Sequence, residues 1–199
     1  LSVVATDSRR LALVEHEVEF PADAEMDLIV PLKTVEELLR TLAETGTVKI
    51  LATPKQIAFE FDRVLIVSKL VEGTYPNFRQ VIPQANGERV AMERETRLTA
   101  VRRTSQLVID AVSGVKLTFT KNRLEILATA PEIGEARETM DVKYKGPDIA
   151  ISFNPAFLMD PLKALTTDEV YLDLLDDTSP GVLRSSISFV YVLMPIRVS

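Results

Sequence analysis

Cysteine is absent and histidine occurs once, at His16. Without thiols there is no disulfide framework, no thiol nucleophile and no thiolate ligand, and one imidazole cannot build the usual zinc sites. Most hydrolytic chemistry loses its parts. His16, flanked by Glu15 and Glu17, reads as an exposed strand residue rather than a general base. Glycine is scarce as well: its seven residues stand singly, so no glycine-rich loop is available to cradle a phosphate. Long apolar runs are also missing. The longest, Phe189 to Met194, is far short of the roughly 20 residues that a membrane-spanning helix needs, and no signal peptide opens the sequence. A cytoplasmic location without membrane partners is expected. Basic residues are outnumbered, 23 Lys and Arg against 29 Asp and Glu, for a net charge of −6. Any surface for nucleic acid must therefore be local.

What remains is a chain of 199 residues, 46% hydrophobic and 26% charged, long enough to bury a sizeable core in one large or two small domains. Leu1 to Ala5 already reads as strand, so the sequence is expected to start inside a domain of a longer protein. Period-2 apolar patterning recurs at 48–51, 57–61, 64–68, 115–119, 124–128, 149–153, 170–174 and 188–194. Helical spacing is predicted over Leu32–Glu44, Leu98–Val112 and Asn154–Leu165. The first has a stripe of Val35, Leu38, Leu39 and Leu42 between Pro31 and Gly46. The last has Asn154 as N-cap, Pro155 in its first turn, and an internal Pro161 expected to kink it near Phe157. Each helix is followed by a similar strand opening: Val48-Lys49-Ile50, Val115-Lys116-Leu117 and Val170-Tyr171-Leu172. The repeating unit is strand, helix, then about three strands. Alone it cannot close a core, so units are expected to pack in pairs as an α+β fold, helices on one face and antiparallel sheets on the other. The turn-rich stretch Val81 to Gly87 places a domain boundary between residues 1–84 and 85–199.

Two clusters invite a chemical reading. Asp173, Asp176 and Asp177 could hold a magnesium ion, but Asp-Asp-Thr-Ser-Pro-Gly is turn composition and no base or phosphate loop accompanies it. Residues 94–123 hold seven cations, Arg94, Arg97, Arg102, Arg103, Lys116, Lys121 and Arg123, against Glu95 and Asp110, a local +5 in an acidic chain. A solvated helix face would explain this alone. Lys33 and Arg40 on the first helix and Lys163 on the third point further, because repeated units put equivalent helices on one surface. That surface suits loose, sequence-independent phosphate contact, with duplex favoured in the absence of aromatic platforms. The terminal stretch Phe189 to Arg197 combines a core-like strand with Met194, Pro195 and Ile196, good lining for a shallow groove that accepts peptide side chains.

Three ordered segments carry a family resemblance. Val4-Ala5-Thr6-Asp7-Ser8-Arg9-Arg10-Leu11-Ala12 resembles the A-T-D-G-H-R-L-A signature of the bacterial β sliding clamp family, the processivity subunits of DNA polymerase III. Ser68 to Pro83 is similar to that family's S-K-L-V-[DE]-G-x-[FY]-P-[DN]-[FY]-x-x-V-[IL]-P segment. Tyr191 to Arg197 resembles its terminal Y-V-[VL]-M-P-[MVI]-R.

The resemblance implies the DNA-clamp fold, with the second part of a middle domain over residues 1–84, a whole C-terminal domain over 85–199, and no N-terminal domain. It implies a non-catalytic, cofactor-free scaffold that encircles duplex DNA as a head-to-tail homodimeric ring when full length, a ring not expected of this stretch alone. Implied partners are the polymerase III catalytic subunit, the clamp loader and other clamp-motif proteins. They would dock in a groove between the two domains. By motif position that groove is lined by Thr6, Arg10, Leu11, Pro76, Val81, Val192, Met194, Pro195, Ile196 and Arg197, with Ser179, Gly181 and Val182 from the neighbouring strand. Lys33, Arg40, Arg102, Arg103 and Lys163 would meet DNA. The sequence departs from the family pattern at Ser8 and Arg9 in place of Gly-His, at Gln80 where Arg is common, at Ser113, at Pro161, and in the extra Val198-Ser199. A metal-dependent enzyme using Asp173, Asp176 and Asp177, or a β-rich oligomerisation module, are the alternative readings.

Overall fold

The structure, a computed structural model, describes residues 1–19, 25–83, 87–108 and 114–196. In chain order its elements are β1 (Ser2–Thr6), β2 (Arg10–Glu15), α1 (Leu32–Thr41), β3 (Lys49–Ala52), β4 (Gln56–Phe61), β5 (Val64–Lys69), β6 (Glu88–Glu93), α2 (Arg94–Thr104), β7 (Val115–Thr120), β8 (Arg123–Ala130), β9 (Gly134–Asp141), β10 (Ile149–Phe153), α3 (Pro155–Ala164), β11 (Glu169–Leu174), β12 (Gly181–Ser185) and β13 (Phe189–Leu193). Two compact units divide the chain. One contains Leu1–Val18 with Phe78–Ser199, the other Glu19–Asn77. The expected boundary at 84/85 does not coincide with this division, because β1 and β2 join strands from the far end of the chain.

In the larger unit the strand–helix–three-strand repeat occurs twice, as β6-α2-β7-β8-β9 and β10-α3-β11-β12-β13. The two copies interlock. β6 pairs with β11 of the other copy, and β10 pairs with β7, all antiparallel. The resulting sheets run β1-β2-β13-β12-β11-β6 and β10-β7-β8-β9. Helices α2 and α3 pack against each other, α2 also against β8 and β9 and α3 against β13. One core fills the space between, with Val90, Val101, Leu117, Phe119, Leu124, Ile126, Phe153 and Leu162 fully buried. Since each copy lends its first strand to the other's sheet, neither half retains a closed core without its mate.

Local chemistry explains the helix ends. Asn154 caps α3 by accepting the Ala156 N–H at 2.9 Å, with Pro155 in the first turn. Pro161 is buried inside the helix, and its carbonyl accepts the Leu165 N–H at 3.0 Å. Helix α2 starts at Arg94, four residues before the expected Leu98, because the Glu93 carboxylate caps it by accepting the N–H groups of Glu95 and Thr96. It ends at Thr104 and passes into a 3₁₀ turn, Ser105–Leu107. The expected continuation beyond Val108 falls on residues 109–113, outside the described residues.

The smaller unit has α1 and the sheet β3-β4-β5 around Ile57, Phe59 and Phe61. Here the expected stripe is only partly used. Leu38 packs on this core, and Thr34 donates from its hydroxyl to Ser68 at 2.7 Å, but Leu39 is 78% exposed and Val35 and Leu42 are exposed too.

Candidate functional site

Strand register brings the first and last motifs together. Leu11 stands opposite Val192, Val192 opposite Val182, and Thr6 opposite Leu11, so one row crosses β1, β2, β13 and β12. Cross-strand partners share a face. The next row on that face holds Val4, Leu13 and Val190. Phe78 and Ile82 pack over both rows, forming a second apolar cluster separate from the main core. The intervening rows, with Ala12, Tyr191, Leu183, Leu172 and Val90, face the helices.

The predicted groove residues therefore separate. Leu11, Val182 and Val192 meet on the outer face, but at 2%, 4% and 1% exposure they form a filled floor, not an open lining. Accessible apolar surface comes from Val81, 47% exposed, and Met194, 42% exposed, whose N–H continues the ladder to the Arg9 carbonyl at 2.9 Å. Arg10 and Gly181 belong to the other face. They flank Leu193 in the register, and a Cβ on Gly181 would lie 3.0 Å from the buried Phe153 ring. Arg10 reaches α3: Nη1 donates to Asp160 at 2.5 Å and contacts the Tyr191 hydroxyl at 3.5 Å, Nε donates to Asp7 at 2.9 Å, and the guanidinium lies 4.2 Å from the Phe157 ring centre. Burial opposes the Arg10 charge, but these hydrogen bonds outweigh it and raise its pKa. Period-2 alternation is the reason that adjacent Arg10 and Leu11 part.

The other site residues have different surroundings. Ile196 donates its N–H to the Ser152 carbonyl at 2.7 Å and approaches Gly114, away from the Leu11 row. Pro195 is half-buried and Thr6 is exposed, its hydroxyl donating to the Arg10 carbonyl at 2.8 Å. Ser8, between them in the turn, has φ +71, the left-handed region that suits the glycine of the family signature. Pro76 lies in the smaller compact unit and Arg197 outside the described residues.

The acidic trio does not assemble. Asp173 is paired with Arg89 and Arg184, while Asp176 closes a turn, accepting from the N–H and hydroxyl groups of Thr178 and Ser179 at 2.6–2.9 Å. Those donors, the Thr178 N–H foremost, pull the Asp176 pKa down to about 2. No group of three metal-ligating side chains occurs among the described residues.

All five predicted DNA cations are exposed. Arg40 is paired with Glu37 at 2.7 Å, Arg103 with Glu138 at 3.4 Å, and Lys163 lies 3.9 Å from Asp160. Arg102 has no ion-pair partner among the described residues. Two members of the +5 segment are not surface groups, which reduces the expected patch. Arg94 donates to the Leu162 and Thr167 carbonyls, and Arg97 is buried with Nε and Nη2 unsatisfied. A single sequence marks such residues as charged and cannot show that they point inward. No helix among the described residues is long and apolar enough to cross a membrane.

Comparison with known proteins identifies the family and the fold. The family model for the DNA polymerase III beta subunit, C-terminal domain, matches residues 79–197, and that for the central domain matches residues 1–77. The outer sheet thus joins strands assigned to two family domains, with the change a few residues ahead of 84/85. The Beta sliding clamp of Chlamydia pneumoniae is 31% identical over 98% of this chain and 54% of its own length, and that of Pseudomonas putida 33% over 99% and 54%. A solved sliding clamp from Bartonella birtlesii, bound to griselimycin, superposes with TM-score 0.92 at 34% identity, covering 99% of this chain and 54% of that one. The Bacillus subtilis sliding clamp gives 0.93 at 29% over 100% and 54%. The chain spans about half the length of the curated relatives it matches. With both family models matched in order along almost the whole sequence, the chain belongs to the DNA polymerase III beta subunit family.

Proposed function

We propose that the chain is the second part of the central domain and the C-terminal domain of a sliding clamp, a non-catalytic cytoplasmic processivity factor. In the complete protein it would form a homodimeric ring around duplex DNA and tether the polymerase III catalytic subunit, the clamp loader and other clamp-motif proteins. The carrying observation is the Leu11–Val192–Val182 row, in which the first and last motifs meet β12, with Phe78 and Ile82 of the middle motif packed over it and Val81 and Met194 left exposed. A buried floor with a flexible thioether at its rim suits short apolar peptide anchors: the floor supplies a dry, fixed surface, and Met194 adapts to the guest. Arg102, Arg103 and Lys163 on α2 and α3, with Lys33 and Arg40 on α1, would supply transient phosphate contacts without reading sequence.

Calorimetry with a peptide of the form Gln-Leu-x-Leu-Phe tests the docking reading. Binding is expected, and Met194→Ala should weaken it by about 1–2 kcal/mol, as for a moderately buried anchor. No detectable heat at millimolar peptide, with the chain folded by circular dichroism, would overturn it.

A further inference from the structure

Sulfur is confined to five methionines, and the fold sorts them by access. Met92 is buried, and Met140 and Met159 pack half-buried against the main core. Met26, in the smaller unit, and Met194 are the exposed ones, at 47% and 42%. Of these only Met194 continues the outer sheet face. It stands two residues beyond Val192, and its N–H extends the ladder to the Arg9 carbonyl at 2.9 Å, so by alternation its side chain takes the side of the Leu11–Val192–Val182 row.

A thioether in this position is open to peroxide, since methionine oxidation follows solvent access. A sulfur lone pair attacks one peroxide oxygen, an S–O bond forms as the O–O bond breaks, and the rest of the hydrogen peroxide leaves as water. Sulfur loses two electrons and the peroxide gains them. The sulfoxide is polar, and its oxygen needs a hydrogen-bond donor. The residues of the apolar row offer none. Leu11, Val182 and Val192 carry hydrocarbon side chains, with Phe78 and Ile82 over them, and the one hydroxyl in the row, that of Thr6, already donates to the Arg10 carbonyl at 2.8 Å. The strand end cannot withdraw either, because the N–H groups of Met194 and Ile196 are tied to the Arg9 and Ser152 carbonyls.

We infer that Met194 is an oxidation switch on the docking surface: its thioether form accepts apolar peptide anchors, and its sulfoxide form rejects them until a methionine sulfoxide reductase restores it. In that return step two thiols become a disulfide and the oxygen leaves as water. The inference rests on the docking reading above and adds a redox control to it. The sulfoxide oxygen is satisfied only by water, and an anchor laid against Met194 strips that water without replacing it. The loss should match or exceed that of truncating the side chain, about five- to thirtyfold in Kd.

The test treats the folded chain with hydrogen peroxide, maps oxygen uptake by peptide mass spectrometry, and measures Gln-Leu-Ser-Leu-Phe binding by calorimetry before and after. Met194 and Met26 should oxidise well ahead of Met92, Met140 and Met159, and affinity should fall by about five- to thirtyfold. Methionine sulfoxide reductase with a dithiol should return it. Met26→Leu should keep the whole loss, whereas Met194→Leu, compared with itself before treatment, should show none. Met194 oxidising no faster than Met92, full Met194 oxidation without a change in affinity, or a loss that persists in Met194→Leu would overturn the oxidation inference alone. No binding by the untreated chain would overturn the docking reading and the inference with it.

Discussion

Replacing Arg97 should stabilise the larger unit. Its side chain sits on α2 at 1% exposure, Nη1 contacts the Met92 thioether, and Nε and Nη2 have no hydrogen-bond partner. Burial alone pushes the guanidinium pKa well below its ordinary value, down to about 10. For a base, a lowered pKa means that the folded state disfavours the charged form. The penalty is therefore present in full below about pH 10 and is relieved only as pH rises from there toward the ordinary guanidinium value. A depression of this size corresponds to about 3 kcal/mol, at the lower end of the 2–6 kcal/mol suggested by two stranded buried donors. Arg97→Met keeps an unbranched chain and removes the charge, so a gain of about 2–4 kcal/mol is expected. With a urea slope of roughly 1–3 kcal/mol per molar, the midpoint should rise by about 1–3 M. Tyrosine fluorescence is a suitable probe, because Tyr144, Tyr171 and Tyr191 lie in the same compact unit as Arg97. Arg97→Lys, which keeps a buried charge, should gain nothing. An unchanged or lowered midpoint for Arg97→Met would refute the reasoning.

Three further outcomes follow from the geometry. Ser8→Gly should raise stability by about 1 kcal/mol, since φ +71 is strained for serine and free for glycine; a lower urea midpoint would count against it. The Asp176 carboxyl should titrate near 2 by NMR, with its contribution to the turn present above its ordinary value of 3.8 and lost as pH falls through about 2; titration near 3.8 would mean the turn does not form. Arg102→Glu with Arg103→Glu should abolish weak duplex binding in a low-salt gel shift while leaving peptide binding intact, because these residues lie on α2 and the apolar row lies on the opposite face of the sheet. Unchanged duplex binding would remove α2 from the DNA-facing surface.

Some strands with one buried face are legible in the sequence, while others, β2 and β6 among them, are not. β8, with Leu124, Ile126, Ala128 and Ala130 buried in alternation, is legible in any reading of period 2. β9 was not, since at the sheet edge none of Gly134 to Asp141 is fully buried and its composition is polar. The Leu11 site was legible only through motif resemblance, because Leu11 and Val192 are far apart in sequence and each looks like ordinary core. Nor could composition distinguish Arg97, buried and unmatched, from the exposed Arg102 and Arg103 a few residues on.

The amino-acid sequence by itself determined the family motifs, the strand–helix–three-strand repeat and the cap that starts α3, because capping groups, turn residues and apolar periodicity act within a few residues of one another. Tertiary structure decided the rest: that β6 pairs with β11, β10 with β7 and β2 with β13, that Arg10 turns to α3 while Leu11 turns outward, and that Met194 stays exposed. Periodicity states which side chains share a face of one strand. Which edge that strand finds depends on backbone hydrogen bonds between segments more than a hundred residues apart, as for β2 and β13, and those bonds leave no local mark in the sequence.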